Sequence, residues 1–445
     1  MKHKKLFISL TAVFTVILAL TIFLMIWFWG DSYKSGNGYD GFGDFSAEFE
    51  IPGLDEGACP QGIGNYRARY TVKDENGEPV LDSAGKEQTD KQNYFFISAY
   101  FKDKPSRLYV VGQTTGLVGY VTLKDVDGED FYGHVGGVAT NGYTLWVASG
   151  KNVYVARKGL SSTNNIAYDV IKAAEENGEL QFTSSFDANC NAAFCYYYDY
   201  NNNPEDASSY YDKLYVGEFY RSGNYETDRL HHFTTPNGEE NKAFVYEYSV
   251  ETTASGNEYG LTKLSGEVNL QAPKVQKVFS IPNEIQGFAR VSTYHGKSDE
   301  KYDEKNDGLV LSQSYGLKKS KIYYYSWSNI LDTRKSYKDL EYTFEKDGKE
   351  ETKKLDGFSY NGIYNLTTSG NQGAPYKDTG TLYAYFVDSS ALNNVYAIPS
   401  MSEGLCVVND KVYVLFESGA YKYKTFVRQI LNNVYSFVPR NKRSA

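Results

Sequence analysis

Two stretches far apart in the chain share a pattern of residues that could do chemistry. IPNEIQGFAR (281–290) and IPSMSEGLCV (398–407) both have Ile-Pro, three residues, a polar residue, a glycine and an apolar residue. The polar position holds Gln286 in the first stretch and Glu403 in the second. Proton transfer needs a titratable group within hydrogen-bond reach of the substrate, and a glutamate can serve as general base. Glu403 is therefore the first candidate catalytic residue.

Three further segments place polar residues in a similar frame. They are CPQGIGNY (59–66), HVGGVATNG (134–142) and NCNAAFCYY (189–197). Their polar positions hold Gln61, His134 and Asn191, and His134 is the only histidine in any frame. Because histidine titrates near neutral pH and ligates metals, we predict His134 and Glu403 as catalytic residues. Gln61, Asn191 and Gln286 are predicted to bind ligand.

The frames belong to repeated units of strand-like sequence. Each frame is followed by two runs rich in β-branched and aromatic residues and is preceded by another, with turn residues between them. Five such units of four strands are typical of a β-propeller. We predict an all-β, five-bladed β-propeller, with six blades as the alternative if residues 340–385 contain a degenerate unit. The five polar positions would then meet at one mouth of the central channel, which suits a small-ligand site. Alternatively, they hydrogen-bond only one another and water.

Closure of the ring is predicted from the two ends of the repeat. The strand AEFEIP (47–52) precedes the first frame, and no comparable strand follows AYKYKTF (420–426), the third strand assigned to the last unit. We therefore expect AEFEIP to complete the last sheet and to remove an exposed edge. The tail 423–439 packs beneath that sheet or adds to it. The polar stretches 72–91 and 338–357 indicate loops or exposed hairpins.

Two more glutamates lie within predicted second strands, Glu218 in GEFY and Glu417 in FESG. Strands buried on both faces rarely tolerate charge, so both side chains are predicted to point to the mouth as ligand-binding groups, or to be paired. We predict no dedicated metal site. Calcium held in the channel by Glu403, Glu218 and backbone carbonyls is the alternative. DYNNNPED (199–206) begins like a calcium loop but lacks its glycine and terminal glutamate, which favours a polar turn.

The N-terminus predicts membrane attachment. Residues 6–29 contain no charged side chain, and at about 1.5 Å per residue they can cross a hydrocarbon core of roughly 30 Å. Lysines within residues 1–5 place this short tail in the cytoplasm. We expect a single-pass cell-membrane protein with a stalk (30–43), an extracellular propeller (44–440) and a short tail (441–445). A cleaved secretory signal is the alternative.

The amino-acid composition limits the classes of partner that the protein can bind. A net charge of −9 argues against nucleic acid, because phosphate binding needs a basic surface. The 42 tyrosines are explained by strand propensity, with carbohydrate stacking as the alternative.

Four cysteines form disulfides or remain as buried thiols in this exported context, and the spacing leaves the pairing open. They are Cys59, Cys190, Cys195 and Cys406.

Blades four and five carry a family resemblance. The segments QGF (286–288), LSQSYGLKKSKIYYY (311–325) and SEGL (402–405) with KVYVLF (411–416) resemble the five-bladed plant and bacterial glutaminyl cyclotransferases. The resemblance implies that Glu403 is the catalytic acid/base, that Gln286 lines the site and that an N-terminal glutamine is the substrate. The CPQG and HVGG frames lie outside that pattern and indicate a separate group of exported bacterial propellers.

Three functions are therefore alternatives. The first is a membrane-anchored extracytoplasmic propeller with a small-ligand site at its mouth, catalytic or not. The second is a glutaminyl cyclotransferase-like enzyme. The third is a non-catalytic scaffold that binds a protein or a glycan. The expected partners are the membrane, through residues 6–29, and a small molecule, peptide or glycan.

Overall fold

The computed structural model describes most of the chain after residue 40. The described residues are 13–22, 41–74, 76–158, 165–199, 212–251, 257–262, 273–292, 303–336, 339–346, 348–354, 382–425, 427 and 429–441. Strands predominate among them, which confirms the predicted all-β class.

Helices are few among the described residues. Residues 13–22 form α1, whose side chains are exposed. The rest of the predicted anchor 6–29, the tail 1–5 and the stalk up to residue 40 lie outside the described residues. In the part of the chain that the structure describes, no helix is both long enough and apolar enough to cross a membrane. The other α-helices are α2 (Ile166–Glu175) and α3 (Trp327–Asp332), and short 3-10 turns occur at Arg229–His231, Glu304–Asn306 and Ser389–Ala391.

The described strands are short to medium in length. In chain order they are β1 (Gly41–Phe42), β2 (Phe45–Glu50), β3 (Cys59–Thr71), β4 (Thr89–Tyr100), β5 (Arg107–Gly112), β6 (Gly116–Lys124), β7 (Gly137–Thr140), β8 (Thr144–Arg157), β9 (Glu179–Gln181), β10 (Ser184–Tyr198), β11 (Lys213–Glu218), β12 (Phe233–Thr234), β13 (Glu240–Asn241), β14 (Ala243–Ser249), β15 (Val275–Ile281), β16 (Ile285–Val291), β17 (Gly308–Gln313), β18 (Ser320–Ser326), β19 (Lys335–Ser336), β20 (Glu341–Lys346), β21 (Lys349–Lys354), β22 (Tyr383–Phe386), β23 (Leu392–Ile398), β24 (Ser402–Val408), β25 (Lys411–Phe416) and β26 (Asn433–Phe437).

The main sheets follow the chain order of the repeat. The first sheet runs β3-β4-β5-β6, with β9 added in parallel, and a later sheet runs β16-β17-β18-β23. An eight-stranded sheet lies between them in the chain. In this sheet, β10 pairs with a strand of the preceding unit and with a strand of its own unit. Its first part, Ser184–Asp187, pairs with β8, and its second part, Ala192–Tyr198, pairs with β11. The second and third sequence units are thus joined through one long strand.

The last sheet contains both ends of the repeat. Its order is β1-β2-β26-β25-β24, and β2 pairs with β26 from Ser46 opposite Ser436 to Glu50 opposite Asn433. The prediction that the N-terminal strand completes this sheet is therefore confirmed.

The third strand of the last sheet was predicted wrongly. It is β26, whereas residues 418–425 form turns in which Ala420 N donates to Glu417 O and Tyr423 N donates to Ala420 O, both at 2.9 Å. The alternation of tyrosine and lysine in AYKYKTF resembles the alternation of a β-strand. The backbone N–H and C=O groups of this segment are instead paired by the short-range hydrogen bonds of turns.

One strand from each unit packs beside the next to form a closed cycle. These inner strands are β3, β7, the second part of β10, β16 and β24, and β24 packs in turn against β3. A Cβ added to Gly62 would lie 2.6 Å from Gly137 Cα, and one added to Gly404 would lie 2.9 Å from Gln61 O. Glycine is needed in these frames because neighbouring inner strands approach too closely for a side chain. Since the close contacts join the first residues of the strands, the inner strands begin at one common end, the mouth end.

The segments inserted between the repeated strands form hairpins and a helix. Residues 76–78 and 81–91 are exposed and extend the β3–β4 hairpin, as predicted, and β20 with β21 forms another hairpin. The helix α2 was not predicted. Asn165 caps it by accepting from Tyr168 N, and Val170 and Ala174 are among the residues it buries. All four cysteines are buried free thiols.

Candidate functional site

Two glutamates of the last sheet hydrogen-bond each other at the mouth end. Burial raises the pKa of Glu403 well above its usual value, and the charge and hydrogen bond of Glu417 raise it further. Burial also raises the pKa of Glu417, although hydrogen bonds from Cys59, Glu403 and Gln61 lower it in part. Two carboxyls in contact do not both ionise, because like charges repel strongly when desolvated. The carboxyl pair therefore shares one proton, carried by Glu403.

The β24–β25 hairpin positions this pair. Ser402 lies opposite Phe416, and the register then shifts before Leu405 pairs with Val414. Such a bulge re-aims a side chain that would otherwise follow the regular alternation. Met401, just before β24, has φ 66°, and its carbonyl accepts from Glu417 N at 3.0 Å. The two glutamates are thus held together by backbone geometry as well as by their own hydrogen bond.

The first sheet supplies donors to the pair. Gln61 Nε2 donates to Glu417 Oε2 at 3.0 Å and to Pro60 O at 2.9 Å. Cys59 Sγ donates to the same Glu417 oxygen at 3.3 Å. Burial and the nearby Glu417 charge raise the pKa of Cys59, so this sulfur is a protonated donor rather than a reactive thiolate.

Aromatic and basic side chains form an outer layer around these groups. Tyr100 hydrogen-bonds Cys59 and Tyr423, and Lys422 Nζ donates to Tyr100 OH at 3.0 Å. The His134 ring packs on the Tyr100 ring, with centroids 4.4 Å apart, and its other side is open to solvent. Desolvation on the packed side and the charge of Lys422 lower the pKa of His134. The imidazole is therefore neutral at pH 7.

The structure brings together only some of the residues predicted to form the site. Glu403, Glu417 and Gln61 make one hydrogen-bonded group, and His134 reaches it through Tyr100. Gln286 is half-buried at the mouth end and precedes Gly287, which packs on the backbone of Glu403. Asn191 is exposed on β10, just before the part that pairs with β11.

Glu218 belongs to a different cluster. Its carboxylate is 1% exposed, contacts His231 Nδ1 at 2.6 Å and accepts from Phe244 N at 2.9 Å. On the other side of the ring, His231 Nε2 lies 3.1 Å from Tyr246 OH. Burial lowers the pKa of His231, but the charge and hydrogen bond of Glu218 outweigh it and leave the pKa raised. Glu218 therefore stabilises a buried histidine away from the carboxyl pair.

The predicted alternative of channel calcium required Glu403 and Glu218 to act together, and each has its own partner. Across the described residues, no group of three or more His, Cys, Asp or Glu side chains is arranged to hold a metal ion. The stretch DYNNNPED, apart from its first residue, lies outside the described residues.

The sequence interpretation missed several groups. Cys59 was considered as half of a disulfide or as a buried thiol but not as a donor to the carboxyl pair, and Lys422 and Tyr423 were assigned to a strand. A buried ionic cluster was also missed, in which Arg290 pairs with Asp307 at 2.6 Å. The guanidinium carbon of Arg290 lies 4.0 Å from the centre of the Trp327 ring. No local pattern marks this cluster, because Arg290 is on β16, Asp307 precedes β17 and Trp327 begins α3.

No protein-family profile matches the chain. No curated protein matches it. Among solved structures, it is similar to BamB from Moraxella catarrhalis, with 8% sequence identity and a TM-score of 0.23, over 85% of this chain and 89% of that chain.

Proposed function

We propose that this chain is a five-bladed β-propeller with an acid–base site for a small polar ligand at one mouth of its channel. Three observations support the architecture: five inner strands pack in a closed cycle, their sheets follow the chain order, and β2 pairs with β26. A sheet shared between the two chain ends is one way in which a closed ring avoids exposed edges.

The carboxyl pair Glu403–Glu417 is the observation that carries the functional proposal. One partner holds a proton and the other accepts one, so a ligand placed over the pair could be protonated at one atom and deprotonated at another. Glycoside hydrolysis does not fit this geometry. Glycosidase carboxyls are about 5 Å apart or more, whereas these two are hydrogen-bonded to each other.

We also propose that residues 6–29 anchor the protein and that the propeller is extracytoplasmic. The uncharged apolar run and the lysines that precede it support this topology. Cleavage of the same segment as a signal peptide would release the domain on the same side of the membrane.

Glutaminyl cyclotransferase-like activity is the second candidate. It is favoured by Glu403, the acid/base implied by the resemblance, which lies in a hydrogen-bonded carboxyl pair. The aromatic side chains near the pair are Tyr100 and Tyr423, whereas Trp146 and Trp327 are fully buried elsewhere. The resemblance implies a pocket that contains tryptophans, so tyrosines beside the pair favour a site of another specificity.

The test is a thermal-shift titration of the full-length protein in detergent. The panel holds glutaminyl peptides, neutral sugars, lactones and divalent ions, because a ligand that prefers the native state raises the melting temperature. Glu403→Gln and Glu417→Gln are compared with Glu78→Gln, an exposed glutamate that serves as the matched control. We expect a ligand-induced shift that both site variants lose and the control keeps. The proposal fails if no ligand raises the melting temperature of the wild type and both site variants melt at a lower temperature than the wild type. The carboxyl pair would then only stabilise the fold.

A further inference from the structure

We propose that the mouth beside the carboxyl pair binds a neutral oligosaccharide, whose sugar rings stack on exposed tyrosines around it. This inference rests on the proposed small-ligand function and names the class of ligand. It begins from the exposure of three aromatic rings. Tyr421, Tyr132 and Tyr225 are 78%, 63% and 51% exposed, the largest values for tyrosine among the described residues.

All three tyrosines lie at the mouth end. Tyr421 is in the connection from β25 to β26, Tyr225 is in the connection after β11, and Tyr132 is in the connection from β6 to β7. In an antiparallel sheet the end of one strand lies beside the start of the strand it pairs with. The end of the second strand of each unit therefore lies beside the start of the inner strand of that unit. Glu403 near the start of β24 and Glu417 after the end of β25 occupy the same end. The three rings therefore lie at the end of the sheets that holds the carboxyl pair.

Tyr225 is held in place although its ring is exposed. Arg221 and Tyr225 exchange two backbone hydrogen bonds, each of 2.9 Å, across a tight turn. The Tyr225 ring packs edge-on against Phe219, with centroids 5.4 Å apart. Beside it, the guanidinium of Arg221 lies 3.5 Å from the centre of the Tyr315 ring. A ring that is already fixed loses little conformational entropy when a ligand stacks on it.

The charges around the mouth favour a neutral ligand. The proton held between the two carboxyls reduces the negative charge of the pair, and the nearby ammonium of Lys422 opposes the charge on Glu417. The whole chain carries a net charge of −9, which disfavours an acidic polymer. The exposed ammonium of Lys422 offers hydrogen-bond donors, and Glu417 offers an acceptor, so the site can satisfy hydroxyl groups, which both donate and accept.

The exposed tyrosine rings are better suited to bind a sugar than to bind a folded protein. A sugar ring has an apolar C–H face and hydroxyls at its edge, which matches the apolar face and polar tip of tyrosine. The three rings lie in three separate connections between strands, whereas a protein interface is built on a continuous patch with an apolar core. Rings in separate connections also favour a ligand of several sugar units over a monosaccharide.

The test is isothermal titration of the full-length protein in detergent with chitotriose, cellotriose and maltotriose. The tripeptide Gly-Gln-Gly represents the competing class of ligand. Tyr421→Ala, Tyr132→Ala and Tyr225→Ala are compared with Tyr143→Ala, a tyrosine 40% exposed in the β7–β8 connection at the opposite end. These side chains are on the surface, so the variants should fold, which circular dichroism checks.

We expect at least one trisaccharide to bind and each mouth variant to weaken that binding about fivefold or more, while Tyr143→Ala leaves it within twofold. The inference is overturned if no trisaccharide binds, if only the tripeptide binds, or if the mouth variants bind as the wild type does. Glu403→Gln separates the two proposals. Sugar binding that survives this change but not Tyr421→Ala supports the oligosaccharide site and contradicts the acid–base function.

Discussion

The side-chain nitrogen of Gln61 lies 3.0 Å from Oε2 of Glu417, although the two residues are 356 positions apart in the chain. The bond connects the first inner strand, β3, to the segment that follows β25 in the last sheet. The candidate site is therefore built across the boundary between the first and last sheets. A change at this boundary should alter both the stability of the fold and the proton affinity of the carboxyl pair.

Gln61→Leu should lower the free energy of unfolding by about 1–3 kcal/mol, because it removes a donor from a desolvated carboxylate and keeps a side chain of similar size. Since the Gln61 bond lowers the pKa of Glu417, its loss should raise that pKa further. Urea denaturation of the full-length protein measures the first effect. Gln88→Leu, at an exposed glutamine, is the control, and equal losses in both variants would contradict the assigned role of Gln61.

The stability contributed by the carboxyl pair should fall as the pH rises. Both glutamates have folded-state pKa values above 4.5, the value for an ordinary glutamate, so the folded protein binds protons more tightly than the unfolded chain. This contribution is fully present below about pH 4.5 and is lost as the pH rises through the folded-state pKa values.

Replacing Glu403 with Gln removes the shared proton. Relative to the wild type, Glu403→Gln should therefore gain stability between pH 5 and pH 8, by about 1.4 kcal/mol for each unit of pKa shift removed. Denaturation curves at each pH give the difference, and Glu78→Gln should follow the wild type. A constant difference between Glu403→Gln and the wild type across this range would show that the pair does not titrate abnormally.

Arg290→Met should destabilise the protein by about 3–5 kcal/mol, because Asp307 would remain as a buried charge without its cation. The double variant Arg290→Met with Asp307→Asn should recover part of this loss. A double-mutant cycle in urea measures the coupling between the two residues. Strictly additive effects would mean that the ion pair contributes nothing beyond the packing of its two side chains.

Deletion of residues 45–50 should leave β26 with an unpaired edge. Exposed edges pair with other chains, so we expect a lower melting temperature and self-association visible by light scattering after size exclusion. Deletion of residues 341–354, the β20–β21 hairpin, is the control because its two strands pair only with each other. A monomeric protein of unchanged stability after the 45–50 deletion would show that β2 is dispensable for closure.

Much of the strand architecture was predictable from local patterns. Polar-glycine frames marked inner strands because Gly62 and Gly404 meet a neighbouring backbone, and the unpaired strand at the start of the repeat indicated closure by β2. Addition of the tail 423–439 to the last sheet was one of two alternatives, and β26 confirms it, whereas α2 was not predicted. The segment 420–426 imitates a strand, and the segment containing α2 lies inside an insertion where no repeat signal applies.

The candidate site was predictable as a set of residue types but not as a set of contacts. Glu403 and Glu417 were both identified, yet their hydrogen bond depends on the register shift after Ser402, which no sequence pattern specifies. Glu218 was grouped with them because its strand position is equivalent to that of Glu417. Its actual partner, His231, lies in an irregular connection and could not be placed without the fold.

The pairing of β2 with β26 also constrains how the protein is made. Glu48 and Ser436, which contact each other in this pair, are 388 residues apart, and a ribosome adding 5–20 residues per second needs roughly 20–80 s to make the second after the first. During that interval the earliest strand has left the ribosome while its partner does not yet exist. Until β26 has been made, the edge of β2 that it pairs with stays open to other chains, so the period of synthesis is when this strand is most exposed to aggregation.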